Sequence, residues 1–291
     1  MSLTAYQIVK SIAEQGSFIR AAESIHLTPG ALSRSVSTLE KRWDLSLFTR
    51  TKNDVRLTSE GELLYPYLCE VLRCESILNQ KIAQVHGLET GTVRIAALGS
   101  VCRAWMPDIL GTFRQEHPGI RLQLMEAETK DIIAMVQNKT ADIGLADISG
   151  ENDLQIIPLY EDPVYCVTAK NYFPSDKYYV SVNDMKEIFF LIQENSDLFH
   201  IQRFWEQYDI KPSYSFVAGD NAIMAMVEGG FGASIAPGMF LSAANHNVEV
   251  YPIFPQIYRT IGLIAPKNSE LSPAQRCMIA HIRRHTKGLS S

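Results

Sequence analysis

The chain has 291 residues, 46% of them apolar and 20% charged, which is material for about two domains of ordinary size. Such a composition excludes a disordered chain, a collagen-like fibre and a disulfide-stapled miniprotein. The net charge of −5, from 27 basic and 32 acidic residues, conceals an asymmetry. Residues 1–58 hold eight Lys/Arg and five Asp/Glu, or +3, which leaves 19 against 27, or −8, for the remainder. A small basic module on an acidic body suits contact with a polyanion. No run approaches the eighteen apolar residues of a membrane span. Lys10 and Glu14 interrupt any apolar stretch near the start, so neither a membrane role nor a signal peptide is expected. Five cysteines (Cys69, Cys74, Cys102, Cys166 and Cys277) form no C-x-x-C pair, and a reduced, cytoplasmic protein is expected.

Leu3, Tyr6, Val9 and Ile12-Ala13 recur at helical spacing and predict a first helix, ended by Gly16. Ser17 caps a second, with apolar positions Phe18, Ala21, Ala22 and Ile25. Thr28-Pro29 opens a third, a hydroxyl cap followed by proline in the first turn. There Leu32, Val36, Leu39 and Trp43 form the core wedge, and Gly30, Arg34, Ser37 and Lys41 the opposite wedge, flanked by Ser33 and Thr38. Small and hydroxylated residues with two cations and no carboxylate suit the major groove of DNA; an ordinary solvated face more often mixes Glu with Lys. Next come Leu47-Phe48, Thr49-Arg50-Thr51-Lys52, the turn Asn53-Asp54 and Val55-Arg56-Leu57, a hairpin whose cations Arg50, Lys52 and Arg56 suit phosphates beside the recognition helix.

The ordered run Gly16-Ser17-Phe18, Ala21-Ala22, Leu27-Thr28, Ala31-Leu32-Ser33-Arg34, Val36, Leu39-Glu40, Leu47-Phe48, Arg50, Leu57-Thr58 and Gly61 resembles the winged helix-turn-helix of LysR-type transcriptional regulators. Two positions depart from the pattern: Gly30 stands where the family commonly has proline, and Asp44 where a glycine usually follows the recognition helix. Asp tolerates the left-handed conformation such a turn needs. The resemblance implies a DNA contact set of Ser17, Thr28, Pro29, Gly30, Ser33, Arg34, Ser37, Thr38, Lys41, Arg50, Lys52 and Arg56.

From Ser59 to about Gln84 the pattern is one long helix, in which Leu64, Leu68, Val71, Glu75, Leu78, Ile82 and Val85 alternate steps of 4 and 3. Packing against its own body is one use of that seam. The resemblance implies the other, a dimerisation helix, with a dimer or a tetramer reading an interrupted inverted repeat whose halves lie about one turn (roughly 34 Å) apart. Pro66 should kink it.

After a break at residues 87–91, strands at Thr92–Leu98, Ile120–Met125 and Ala141–Ala146 alternate with helices near Arg103–Glu116 and Thr129–Gln137, a βαβαβ pattern that predicts a parallel sheet. A second set follows: Val164–Thr168, Phe189–Gln193, Tyr214–Ala218 and Ala233–Ala236, with helices near Leu198–Tyr208 and Asn221–Glu228. Tyr258–Ala265 and a helix at about Pro273–His285 complete the pattern. The fold class expected is therefore α/β, with an α-rich winged helix-turn-helix at residues 1–58, a linker helix at 59–87 and a two-lobed effector domain at 88–291. The resemblance implies a periplasmic-binding-protein-like domain with lobe I at about 88–161 and 266–291 and lobe II at about 162–265.

In open α/β sheets ligands bind beyond the carboxyl ends of the strands, where helix N-termini gather. That rule selects Ser100, Val101 and Cys102, then Thr129, then Asn195 and Ser196, then Gly219. Capping alone also accounts for the hydroxyls Ser100, Thr129 and Ser196. Glu128 and Asp220 at the same place argue against a strongly anionic effector. No cofactor is expected, and no metal: His281 and His285 have metal-ligand spacing but flank Arg283-Arg284, as on a basic helix. Cys102, near a helix start, raises redox sensing as an alternative role. Gly230-Phe231-Gly232 follows a helix and precedes a strand, the reverse of a dinucleotide loop. The expected protein is not an enzyme but a regulator whose partners are double-stranded DNA, a small-molecule effector, further copies of itself and RNA polymerase. A cytoplasmic solute-binding protein or cleft enzyme with an incidental helical module is the alternative.

Overall fold

A computed structural model of the protein describes residues 3–50, 55–85, 90–148, 154–193, 199–211, 213–217, 219–242, 247–266 and 271–287. The chain forms two compact units, Met1–Gly87 and Leu88–Ser291.

In the first unit, α1 (Leu3–Gln15), α2 (Phe18–Ser24) and α3 (Pro29–Trp43) precede the hairpin β1 (Phe48–Arg50) and β2 (Val55–Leu57) and the long helix α4 (Ser59–Val85). The caps are as the sequence predicts: Arg20 N donates to Ser17 Oγ at 3.4 Å and Ala31 N to Thr28 Oγ1 at 3.2 Å. Asp44 ends α3 in the left-handed conformation, φ 54°, ψ 43°. Ile12, Ala22, Leu32, Val36 and Leu47 are completely or almost completely buried and form one core with Leu68 of α4. Two backbone latches fix the hairpin to the helices. The Glu40 carboxylate accepts from Leu47 N (2.7 Å) and Phe48 N (3.3 Å), and Thr58 Oγ1 accepts from Gly61 N (2.9 Å) while donating to Ser46 O (2.6 Å). A Cβ at Gly61 would collide with the Leu47 carbonyl, so close approach of α4 to the hairpin demands glycine there.

Helix α4 runs unbroken through Pro66, and its apolar residues occupy two neighbouring faces rather than one seam. Leu64, Leu68 and Leu72 pack on the core of this unit. Leu63, Tyr67, Val71, Leu78, Ile82 and Val85 are exposed. At 100° per residue these six fall within about 100° of arc. The predicted seam is therefore corrected at its first two members: Leu64 and Leu68 belong to the intramolecular face, one residue round the helix from Leu63 and Tyr67.

In the second unit, β3 (Gly91–Ala97), α5 (Gly99–Ala104), α6 (Met106–Glu116), β4 (Ile120–Glu126), α7 (Thr129–Gln137) and β5 (Ile143–Asp147) lead into β6 (Gln155–Ala169). Then come β7 (Val180–Ser181), α8 (Val182–Glu187), β8 (Phe189–Gln193), α9 (Phe199–Gln207), β9 (Ser213–Val217), α10 (Asp220–Glu228), β10 (Ser234–Pro237), α11 (Gly238–Ser242), β11 (Val248–Ala265) and α12 (Pro273–Thr286). The predicted helix near Arg103–Glu116 is two helices that meet at Trp105: Pro107 has no N–H to continue the first, so a new helix starts around it.

The main sheet has the order β10-β6-β11-β5-β3-β4, with β3 parallel to β4 and β5 and with β11 antiparallel to β5 and β6. β8 and β9 form a parallel pair, and Phe190 bridges to Ala233. The unit has more than one core. Ile95, Ile143, Met106, Phe113, Ile132 and, from the late part of the chain, Ile261, Leu263, Met278 and Ile282 build the first. Val164, Cys166, Phe190, Trp205 and Ile253 build a second, beside a group around Val167, Leu191 and Val227. Strands β6 and β11, at 15 and 18 residues, contribute to both sides and pair along most of their length. Helix α12 is pinned to β3 through Asp142, which accepts from Arg94 N and Nε, Arg94 Nη2 and Gln275 Nε2 at 2.8–3.1 Å. Among the described residues no helix is long and apolar enough to cross a membrane.

Candidate functional site

The first unit offers one polar helix face. With Leu32, Val36 and Leu39 turned inward, Gly30, Arg34, Thr38 and Lys41 are exposed on the other side of α3, and Ser33 and Ser37 are half-buried at its edges. The only carboxylate of the helix, Glu40, is held by the Leu47 and Phe48 amides, so the exposed face carries only positive charge. Thr38 Oγ1 donates to Arg34 O at 2.8 Å, which leaves its hydroxyl oxygen to accept from a ligand. Thr28 and Pro29 are exposed at the amino end of the helix, and Ser17 is half-buried at the start of α2. Arg56 is exposed on β2 and Arg50 belongs to β1; Lys52 lies outside the described residues.

The second unit has a cleft, partly open to solvent, with a cavity of about 170 Å³ where the carboxyl ends of β3, β4 and β5 meet the starts of α5, α7 and α10. Its polar lining includes Ser100, Glu128, Thr129, Asp147, Asp220 and Arg259; Val164, Leu191, Ile201, Trp205, Met224 and Phe240 supply apolar wall. Ser100 and Thr129, both predicted, line it and are buried at 7% and 8% exposure. Gly219 is the exposed cap of α10, next to the lining residue Asp220. Asn195 and Ser196 lie outside the described residues.

Two expected positions turn away from the cavity. Val101 is fully buried in the first core. Cys102 packs against that core, and its thiol donates to Ala97 O at 3.6 Å. Burial, then the charge of Glu126, pushes the Cys102 thiol up to about 11, so the expected lowering by the helix end is outweighed and the group stays protonated at neutral pH. His281 is likewise occupied: its Nε2 lies 3.0 Å from Thr112 Oγ1 and 3.1 Å from Ile109 O, and Arg284 meets Nδ1 at 2.8 Å. Among the described residues no group of three or more His, Cys, Asp or Glu is placed to hold a metal ion.

The sequence reading missed Arg259 and Asp162. Arg259 Nε and Nη2 both bond Asp162 Oδ2 at 2.8 Å, and Nη2 also donates to Ser100 Oγ at 2.8 Å. Asp162, fully buried, accepts on its other oxygen from Met239 N at 3.0 Å. Burial lifts its carboxyl above the ordinary range, against the pull of Arg259 and the Met239 and Gly238 amides. A partial signal was available: Arg259 is the one cation in the β11 sequence and Asp162 one of two acids in that of β6, and buried ions of opposite sign need each other. Glu128 and Asp220 are also raised. Burial is the first cause for both; Asp220, Asp131 and Glu126 add to it at Glu128, whereas Arg103 and Arg259 oppose it at Asp220.

A helix-turn-helix whose exposed recognition face carries no carboxylate, followed in the chain by an α/β unit with a partly open cavity, fits the class of ligand-responsive regulators. The family comparison agrees: residues 3–62 match the model of bacterial regulatory helix-turn-helix proteins of the lysR family, and residues 86–287 match the LysR substrate binding domain. The chain belongs to the LysR family of transcriptional regulators, with a DNA-binding helix-turn-helix and an effector-binding domain. It is 25% identical over 284 residues to the HTH-type transcriptional regulator YvbU of Bacillus subtilis, covering 96% of this chain and 97% of that one. Full-length OxyR from Pseudomonas aeruginosa has a similar fold, with a TM-score of 0.76 at 21% identity over 99% of this chain and 95% of that one. So does full-length CbnR solved with its target DNA, with a TM-score of 0.69 at 17% identity over 98% and 100%.

Proposed function

We propose that the chain binds an interrupted inverted repeat in double-stranded DNA as a homo-oligomer, and that a small molecule held in the cavity, without turnover, alters its action at a promoter and its contact with RNA polymerase. The exposed face of α3 carries this reading: Arg34 and Lys41 project from a helix whose one carboxylate is turned away. Residues 1–58 are the reading module, 59–87 the dimerisation helix and 88–291 the effector domain. Two linked modules gain affinity through effective concentration, which one +3 module needs. The exposed stripe from Leu63 to Val85 supplies a surface for pairing. The DNA partner sets its place of work in the cytoplasm. Ser100 and Thr129 are the proposed effector contacts, and the effector must favour one arrangement of the protein over another to act at all.

The test begins with selection from a random duplex library at physiological salt, where non-specific phosphate binding is weak. Recovery of an interrupted inverted repeat is expected. Arg34→Ala should then weaken binding to the selected site by about tenfold or more at identical salt. Equal affinity of mutant and wild type would remove α3 from the interface.

A further inference from the structure

On the reading that the cavity is the effector site, we infer that its ligand is an uncharged carboxamide on a compact apolar body. Some hydrogen-bonding groups of the lining are spent within the chain, and others are left over. Thr129, 8% exposed at the start of α7, lines the cavity, and its hydroxyl has no hydrogen-bond partner among the described residues. Capping does not account for it, because Glu128 holds the cap position and Thr129 is the first residue inside the helix. Buried hydroxyls are almost always satisfied, so this one is suited to a group on a bound molecule.

The neighbouring groups say what that molecule must offer. Ser100 accepts from Arg259 Nη2 at 2.8 Å and keeps its own proton to donate. Arg259 bonds Asp162 and Ser100 through Nε and Nη2, and its Nη1 has no partner among the described residues. Glu128 also lines the cavity; it makes no capping bond to α7, and its ionised carboxylate can only accept. The lining therefore presents unspent donors and unspent acceptors together.

Charge narrows the choice. A carboxylate ligand would meet Glu128, whose ionisation burial and the charge of Asp220 already oppose, and would find Arg259 paired with the fully buried Asp162. An ammonium ligand has only donors, so Arg259 Nη1 and the Ser100 proton would gain nothing from it. A carboxamide sets a carbonyl acceptor beside an N–H donor and carries no charge. Its oxygen can accept from Arg259 Nη1 or Ser100 Oγ, and its nitrogen can donate to Thr129 Oγ1 or Glu128. Val164, Leu191, Ile201 and Met224 form apolar wall for the rest of the molecule. The volume sets the size: an apolar cavity of about 150 Å³ holds benzene, so about 170 Å³ takes a body of about six to nine carbons.

The experiment uses the full-length protein, thermal unfolding and calorimetric titration. Benzamide, phenylacetamide and hexanamide are each compared with the acid, the amine and the methyl ester of the same skeleton; the ester keeps the acceptor and lacks the donor. At least one amide should bind about tenfold or more tightly than its three counterparts. Thr129→Val should weaken that amide about tenfold, and Thr129→Ser should keep it. The valine variant should leave the ligand-free Tm unchanged or higher, since the hydroxyl it removes bonds nothing in the chain. A lower Tm with unchanged amide binding would give Thr129 a structural role and overturn the inference. Filling the cavity with Ala236→Trp should abolish binding; Met224→Trp replaces it if the first variant does not fold. Acids or amines that bind more tightly than every amide, and are lost in the filled variant, overturn the carboxamide and leave the cavity as effector site. Esters that match their amides overturn the donor and with it the ligand class. Amides that bind equally well to the filled variant overturn the cavity itself. No response to any amide at about 10 mM overturns the ligand class.

Discussion

Gly61 and Glu128 show how single residues are held for different reasons. At Gly61 the helix start lies on the Leu47 carbonyl, and there is no room for a methyl group. Gly61→Ala should cost about 1–3 kcal/mol through forced separation of hairpin and helix, seen as a lower Tm of the reading module and weaker DNA binding. Glu128 is held at a cost in stability. Burial and the charges of Asp220, Asp131 and Glu126 raise its folded pKa above the ordinary 4.5, with Arg259 opposing. The folded state thus retains a proton that the unfolded state releases, and stability present below about 4.5 falls as pH rises through the folded value. Glu128→Gln should therefore raise the Tm of the ligand-free protein at pH 7 by about 1–3 °C and flatten its loss between acid and neutral pH.

At the scale of elements, α4 divides its surface between two tasks. Leu64, Leu68 and Leu72 complete the core of the reading module, and the adjoining stripe at Leu78 and Ile82 stays exposed. Leu78→Glu with Ile82→Glu should convert dimers to monomers in sedimentation while the circular dichroism of the module is kept, and DNA affinity should fall at least tenfold with the loss of linkage. The heptad spacing was legible in the sequence, but periodicity cannot say which of two neighbouring faces a helix spends on its own body. The wedge of α3 was legible because four residues at offsets of 4, 3 and 4 agree with one core. Likewise, α7 and β8 were read over their observed spans, Thr129–Gln137 and Phe189–Gln193. Strands β6 and β11 were read as far shorter than they are. Their charged and proline-bearing middles look like breaks until Asp162 meets Arg259, 97 residues away. The cavity was half legible for the same reason. Its hydroxyls sit at helix starts that the sequence marks, whereas Arg259, Asp162 and Trp205 arrive through pairing that only the folded chain makes.

For the whole molecule, the decisive arrangement is the return of the chain to a core it left more than a hundred residues earlier. Ile261, Leu263, Met278 and Ile282 pack with Ile95, Ile143 and Phe113, and Gln275 completes the bonding of Asp142. A chain lacking residues 266–291 should lose cooperative unfolding of the effector unit, bind an apolar dye and show no ligand response. The module at 1–87 should keep its own transition in calorimetry. Each unit is compact by itself, so the damage should not spread from one to the other.

That return also sets an order in time. The strands β3, β4 and β5 are synthesised long before α12, and at ordinary rates of translation the interval is roughly ten to thirty seconds. Throughout it their apolar faces lack the cover that Ile261, Leu263, Met278 and Ile282 later supply, and stay exposed to chaperones and to one another. The helix-turn-helix needs nothing made later than α4 and is finished before the wait begins. Each newly made molecule thus passes through a period in which its reading module is complete while the unit that would sense a signal is not.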